Sequence, residues 1–339
     1  MDIRTKLYQM FILGTEGGGY NDALKNGLGG IIFFTKDIQS PEQFRQLIND
    51  IKSASFITPF LSIDQEGGRV ERTENIHNGK KYLSARFAYE KGDEFLQTQT
   101  KDIADELKSF GINLNFAPCI DVNTNPDNPI IGERAFSNNA DEVIKCEKIV
   151  SQTYRENGII PCVKHFPGHG DANADSHLTL PEINLSLDEM EKTHIKPFAY
   201  AARNIEMVMV AHLHCTCFEK DIIPTSLSKN AISYLRNNLG FKGVTISDDM
   251  IMAGATHVAM RNNLCQNLES DSKSSTLAIE ACEMGIRAGL NMFIYRNSNP
   301  ETIHIIETVA EKAQADTELK NNIEKSYEKI IALKENFSL

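Results

Sequence analysis

Residues 160–171 read Ile-Pro-Cys-Val-Lys-His-Phe-Pro-Gly-His-Gly-Asp. The opening, Ile160–His165, is short, mostly apolar and does not alternate with polar residues, as expected of a strand buried on both faces. Glycines and prolines follow at once, ending the strand and opening a long loop over Phe166–Pro181. A buried strand that delivers Lys164 and His165 at its C-terminal end matches a parallel barrel, where those ends form the active rim.

Seven more runs of this kind recur: Gln9–Leu13, Gly30–Phe34, Pro59–Ile63, Ile112–Ala117, Met207–Ala211, Val244–Ile246 and Met292–Tyr295. Between them lie amphipathic stretches such as Pro41–Ser53, Glu94–Phe110, Asp141–Asn157 and Leu187–Asn204, so strands alternate with helices and the sheet is parallel. Eight strands close a (β/α)8 barrel. The expected fold is therefore α/β, a single TIM barrel over residues 1–339, although a doubly wound open sheet gives a similar pattern. The other strand ends are loaded as well: Ile63 leads into Asp64–Arg69, Ala211 into His212, and Ile246 into Ser247-Asp248-Asp249. Asn123–Ala140 reads as a rim loop, Thr256–Ser275 as a polar insertion, and Asn299–Ser338 as helices on the barrel exterior.

Composition narrows the function classes. The chain has 339 residues, 41% hydrophobic and 24% charged, which suits a globular domain with a full core. Its net charge of −11 disfavours non-specific binding to nucleic acid or anionic lipid. The longest apolar run near the N-terminus, Met10–Leu13, is too short for a signal-peptide core or a membrane span. The seven cysteines include no CxxC pair, which fits buried thiols in a reducing compartment. Cys215 and Cys217 would point the same way on a strand. A cytoplasmic monomer that binds neither nucleic acid nor membrane, and needs neither cofactor nor metal, is expected.

The loop Phe166–Pro181 also holds Asp175-Ser176-His177. Two residues apart, these side chains can meet across a tight turn. A carboxylate bonded to one imidazole nitrogen fixes the tautomer and leaves the other nitrogen to move a proton. Asp248 and Asp249 are consecutive, and strand alternation lets one of them face the barrel axis.

Together the motifs KHFPGHG (Lys164–Gly170), DSH (Asp175–His177), DQEGGRVER (Asp64–Arg72) and SDDM (Ser247–Met250) resemble the signature of glycoside hydrolase family 3. The likeness is to its β-N-acetylglucosaminidase (NagZ-like) branch. The resemblance implies a (β/α)8 barrel and retaining hydrolysis of terminal N-acetylglucosamine from muropeptide-type substrates in peptidoglycan recycling. It also implies roles: Asp248 as nucleophile, His177 as acid/base, Asp175 as its orienting partner. Asp64, Arg72, Arg134 (in Ile131–Phe136, IGERAF), Lys164 and His165 match the sugar-binding residues. The three cations would form a basic pocket within an acidic protein. SDDM replaces the family's SDDL, and Leu178–Pro181 departs from its commoner polar stretch.

Rival assignments stay open at this stage. Asp249 competes with Asp248. Arg134 competes as a structural salt bridge. Glu66 and Arg69 are expected to pair with each other, and His169 to brace its loop. A family 3 phosphorylase would use phosphate in place of water. From another class, a metal-dependent hydrolase would use His165, His169, His177 and His212. The His212-x-His214 pair, however, lacks further ligands at zinc spacing.

Overall fold

The computed structural model describes residues 1–77, 80–172, 180–255 and 270–339. Eight parallel strands close on themselves: β1 (Phe11–Gly14), β2 (Gly30–Phe33), β3 (Phe60–Ile63), β4 (Leu114–Asn115), β5 (Ile160–Phe166), β6 (Met207–Val210), β7 (Val244–Asp249) and β8 (Met292–Tyr295). Each pairs with its sequence neighbours, and β1 pairs with β8 through Phe11 opposite Phe293 and Leu13 opposite Tyr295. The closed barrel replaces the open-sheet alternative. With no free edge, every strand sits between two others and behind a layer of helices. That is why the runs carry no polar alternation.

All residues of the barrel strands are buried except two, Asp248 and Asp249 at the end of β7. The strand extends to Asp249, beyond the Ile246 end expected from sequence, so both aspartates ride on the strand rather than on a following loop. Ladder irregularities mark the two loaded ends. Between β7 and β8 the register shifts across Ile246–Asp249, and between β5 and β6 across Val163–Phe166. Such bulges re-aim side chains at barrel rims. The Lys164–His165 peptide within the second irregularity is cis.

β4 shrinks to two residues, although six were expected. Asn113 and Asn115 use their side-chain amides on the neighbouring chain instead. Asn113 Oδ1 accepts from Leu61 N at 2.9 Å, and the Asn115 amide exchanges two bonds of 2.9 Å with the Gln65 backbone. The expected helix Leu187–Asn204 is split into Leu187–Lys192 and Lys196–Ala201. Pro197, with no N–H to donate, sits in the first turn of the second piece, where prolines are tolerated. A helix Ser270–Ala288 begins inside the segment expected to be irregular, while 256–269 lie outside the described residues. Cys217 falls in a turn beyond the short strand His214–Cys215, so the two thiols do not share a strand face. The C-terminal stretch forms two helices, Pro300–Ala315 and Thr317–Asn336.

That last helix closes the floor of the barrel. The buried Lys334 Nζ donates to Gln9 Oε1 at 2.8 Å, Gly29 O at 3.1 Å and Thr58 O at 2.7 Å. These oxygens lie just before β1, β2 and β3, so one ammonium with three donors ties three strand entries together. Lys334→Met is expected to cost about 2–3 kcal/mol of stability by leaving buried oxygens without a donor. Urea denaturation checks this, and an unchanged midpoint would mean that the lysine does not tie the strand entries.

Candidate active site

At the opposite rim the loaded strand ends converge. Lys164, at the end of β5, is 1% exposed, and a buried ammonium demands anionic partners. It finds Asp64, directly after β3, at 2.6 Å and Glu66 at 2.6 Å. Glu66 in turn accepts a two-pronged contact from Arg134, 2.9 Å from Nε and 2.8 Å from an Nη. The Arg134 fork also reaches His165 Nε2 at 3.3 Å. His165 Nδ1 lies 2.7 Å from Asp121 Oδ2. Because a guanidinium only donates, Nε2 is the acceptor there, and Nδ1 carries the proton given to Asp121.

Asp121, fully buried, was not singled out from sequence. Its Oδ1 also accepts from the backbone N–H of His165 at 3.3 Å and of His169 at 2.6 Å. One carboxylate thus fixes both the His165 tautomer and the start of the loop that carries Asp175 and His177. A sequence signal existed, since Asp121 follows β4 by a few residues, but it lies in no motif quoted above. Asp175 and His177 themselves lie outside the described residues. The loop start is braced as expected, though through the His169 backbone: its carbonyl accepts from Asn128 Nδ2 at 2.9 Å. Two glycines allow the close approach. Gly168 has φ +125°, and a Cβ on Gly170 would lie 1.8 Å from the Val122 carbonyl oxygen.

The charges balance rather than accumulate. Burial alone raises the carboxyls of Glu66 and Asp121. In Glu66 the cations of Arg134 and Lys164 outweigh it, and in Asp121 the two histidines do, so both sit far below the usual carboxylate range. Arg134 and Lys164 are in turn pushed up against the desolvation that opposes them, chiefly by Glu66 and Asp64 respectively. The basic pocket expected from sequence is therefore an ion network, with its lysine and Arg134 already engaged by carboxylates. The expected Glu66–Arg69 pair does not form. Arg69 donates instead to the carbonyls of Pro129 and Ile130, because Glu66 is turned inward by the two buried cations. Arg134 does form a salt bridge, as its rival reading held. Arg72 anchors its backbone N–H on Gln65 Oε1 at 2.8 Å, while its buried Nε has no hydrogen-bond partner among the described residues.

The two aspartates of β7 separate cleanly. Asp249 accepts from Ile251 N at 3.1 Å and Arg296 N at 3.2 Å, and its other oxygen is 3.3 Å from Arg296 Nε. Its carboxyl is raised to about 6, mainly by burial. Desolvation acts on Asp248 as well, but His165, His212, the Asp249 N–H and Lys164 overcome that cost and hold it below its ordinary value. Asp248 is thus the aspartate facing the polar cluster, and Asp249 is tied toward the end of β8. His212 has Nδ1 at 2.7 Å from Ser226 Oγ and Nε2 at 3.2 Å from the Asp249 carbonyl oxygen. Among the described residues, the histidines of the rival metal-dependent reading, His165, His169 and His212, do not gather as one ligand set. His177 lies outside the described residues.

An ionised carboxylate at a barrel rim, beside a hydroxyl-accepting acid and fixed cationic donors, is the equipment of a barrel enzyme acting on a polyhydroxylated substrate. The family profile described as Glycosyl hydrolase family 3 N terminal domain matches residues 2–333, and the chain belongs to that family. It is 36% identical over 248 residues to Beta-hexosaminidase A of Pseudoalteromonas piscicida, covering 67% of this chain and 42% of that protein. It is 35% identical over 242 residues to Beta-hexosaminidase of Neisseria gonorrhoeae (strain NCCP11945), covering 68% of this chain and 66% of that one. The chain thus spans less than half of the first relative and just under two thirds of the second. Among solved structures, a glycoside hydrolase family 3 beta-N-acetylglucosaminidase from Paenibacillus sp. str. FPU-7 superposes with a TM-score of 0.84 at 27% identity, covering 100% of this chain and 63% of that one.

Arg134→Ala is expected to lower stability by about 3 kcal/mol, since breaking one side of a buried pair strands the other charge. It should also raise KM for a sugar substrate by removing a fixed donor. Thermal unfolding and steady-state kinetics measure the two effects separately. A loss of stability with unchanged KM would assign the arginine to structure alone.

Proposed function

We propose that the chain is a retaining β-N-acetylglucosaminidase (β-hexosaminidase) working as one catalytic domain over residues 1–339. The observation that carries this reading is the contrast on β7. One aspartate is ionised and faces the cluster, while its neighbour is raised and tied aside. Retention needs an anionic nucleophile beneath the anomeric carbon and a proton donor on the leaving-group side. Asp248 meets the first need. Its carboxylate attacks C1, the glycosidic C–O bond breaks, and the leaving oxygen takes a proton from His177. Water then attacks C1 with His177 as base, freeing Asp248. An imidazole suits this partner because its neutral form adds no negative charge beside Asp248.

The remaining roles follow from position. The Asp64 side chain is 20% exposed while Lys164 behind it is 2%, so the acid presents acceptor oxygens to sugar hydroxyls and the lysine holds it still. Arg72 and Arg134 line the same rim as donors for hydroxyl and amide oxygens, with His165 held beside Arg134. The relatives named beta-hexosaminidase support N-acetylhexosamine as the sugar. Muropeptides in peptidoglycan recycling are the proposed natural source. A cytoplasmic location suits that role, and no helix among the described residues is long and apolar enough to cross a membrane.

Chemical rescue tests the nucleophile. Asp248→Gly should reduce turnover of an aryl β-N-acetylglucosaminide by about a thousandfold or more. Azide should then restore it, yielding the α-glycosyl azide by direct displacement at C1. Rescue of Asp249→Gly in place of Asp248→Gly would move the nucleophile. Sugar-1-phosphate as the main product in phosphate buffer would make the enzyme a phosphorylase.

His177→Ala should slow substrates with poor leaving groups far more than activated aryl ones, since good leaving groups need little protonation. Equal losses across a leaving-group series would remove His177 as the acid.

A further inference from the structure

Beneath the His165–Arg134 contact, the buried side of His165 meets two groups, Cys119 and Asp121, that touch no substrate in the proposed reaction. Cys119 Sγ donates to Asp121 Oδ2 at 3.2 Å, and the same oxygen is 2.7 Å from His165 Nδ1. The thiol sulfur, the carboxylate oxygen and the imidazole nitrogen lie within 4.8 Å of one another, and all three residues are buried. Ligand atoms around a tetrahedral zinc ion stand about 3.3–3.8 Å apart, given bonds of about 2.0–2.3 Å. The two hydrogen-bonded edges need to open by about half an ångström to reach that geometry. Cys119 also lines a small cavity of ≈ 30 Å³ shared with Glu66, Arg134 and Tyr154, room for one water beside the thiol.

We propose that Cys119, Asp121 and His165 form an inhibitory site for a thiophilic divalent cation, zinc foremost. The proton balance shows why binding inhibits. The thiol loses its proton to solvent, and the resulting thiolate with the Asp121 carboxylate neutralises the dication. Metal on Nδ1 moves the imidazole proton to Nε2. That N–H then faces an Arg134 N–H across 3.3 Å, where two donors repel, so the guanidinium is driven off His165. Zinc thereby disorders a sugar-binding contact without touching Asp248.

The test uses the whole chain, first loaded with Co²⁺ by prolonged incubation and desalting. Wild type should retain one equivalent and show a thiolate-to-cobalt charge-transfer band in the near ultraviolet. Added to fresh metal-free chain, Zn²⁺ should lower turnover of the aryl substrate by about tenfold or more, reversibly on chelation. Cys119→Val keeps the Asp121–His165 bond and should lose both band and inhibition while retaining basal activity. Cys119→Ser, with a hydroxyl that ligates zinc poorly, should behave alike if the valine variant folds badly. Wild type without the band, or inhibition that persists in a folded Cys119 variant, overturns the proposal. The spectroscopic arm needs no turnover, so its outcome is independent of the identity of the substrate.

Discussion

A single buried ammonium organises the rim. Lys164 stands at the end of β5, and its partners Asp64 and Glu66 follow β3, so the contact spans the top of β4. β4 has only two paired residues and cannot hold those neighbours in register by its own ladder. The lysine supplies the cross-tie, and its own burial makes both carboxylates obligatory. Release of either acid would leave a charge inside the protein, at a cost of several kcal/mol. Through Glu66 the tie passes to Arg134, and through Arg134 to His165 and Asp121. A chain of alternating charges therefore runs around one side of the barrel mouth before any substrate arrives.

That network sets what the site can do. Its cations are already matched by carboxylates, so the rim presents fixed donors and acceptors rather than an attractive field. Preorganised groups of this kind do not need to reorient as charge develops at the anomeric carbon. Asp248, on β7, stands outside the ion chain but within the field of its Lys164 and His165. It is kept ionised by imidazoles and one ammonium, without being locked in a direct salt bridge of its own among the described residues. A carboxylate paired directly with a guanidinium would be a poorer nucleophile than one stabilised at a distance. In the proposed reaction the fixed ion network binds the sugar and the less tightly paired Asp248 makes the bond.

The division of labour extends to the loop after β5. Gly168 and Gly170 let its backbone press against His194 and Val122, and Asp121 grips its first N–H groups. The loop is anchored at its root, on the same carboxylate that fixes the His165 tautomer. The His169 N–H at the loop root and the His165 ring thereby share one buried acceptor. A shared acceptor couples its donors, as in any buried polar network in which every member is satisfied by the others.

The sequence by itself determined a parallel α/β sheet and most of its loaded strand ends, while closure into a barrel was settled by the structure. Eight short apolar runs without polar alternation can be satisfied only where both faces are covered, and the loaded residues behind Ile63, Val163, Ala211 and Ile246 reach the same end of a parallel barrel. Periodicity also located the long helices, because an amphipathic face depends on local spacing. What tertiary structure alone decided was pairing. Lys164 lies 100 residues from Asp64, and nothing local tells Glu66 to choose Arg134 over the nearby Arg69. Asp121 was missed because its one signal, a place just after β4, carries no motif until folding sets it against two histidines. Asp248 and Asp249 were likewise indistinguishable as letters. Adjacent residues share every sequence property, and only the irregular end of β7, with Arg296 on one side and His165 on the other, gave them opposite electrostatic environments.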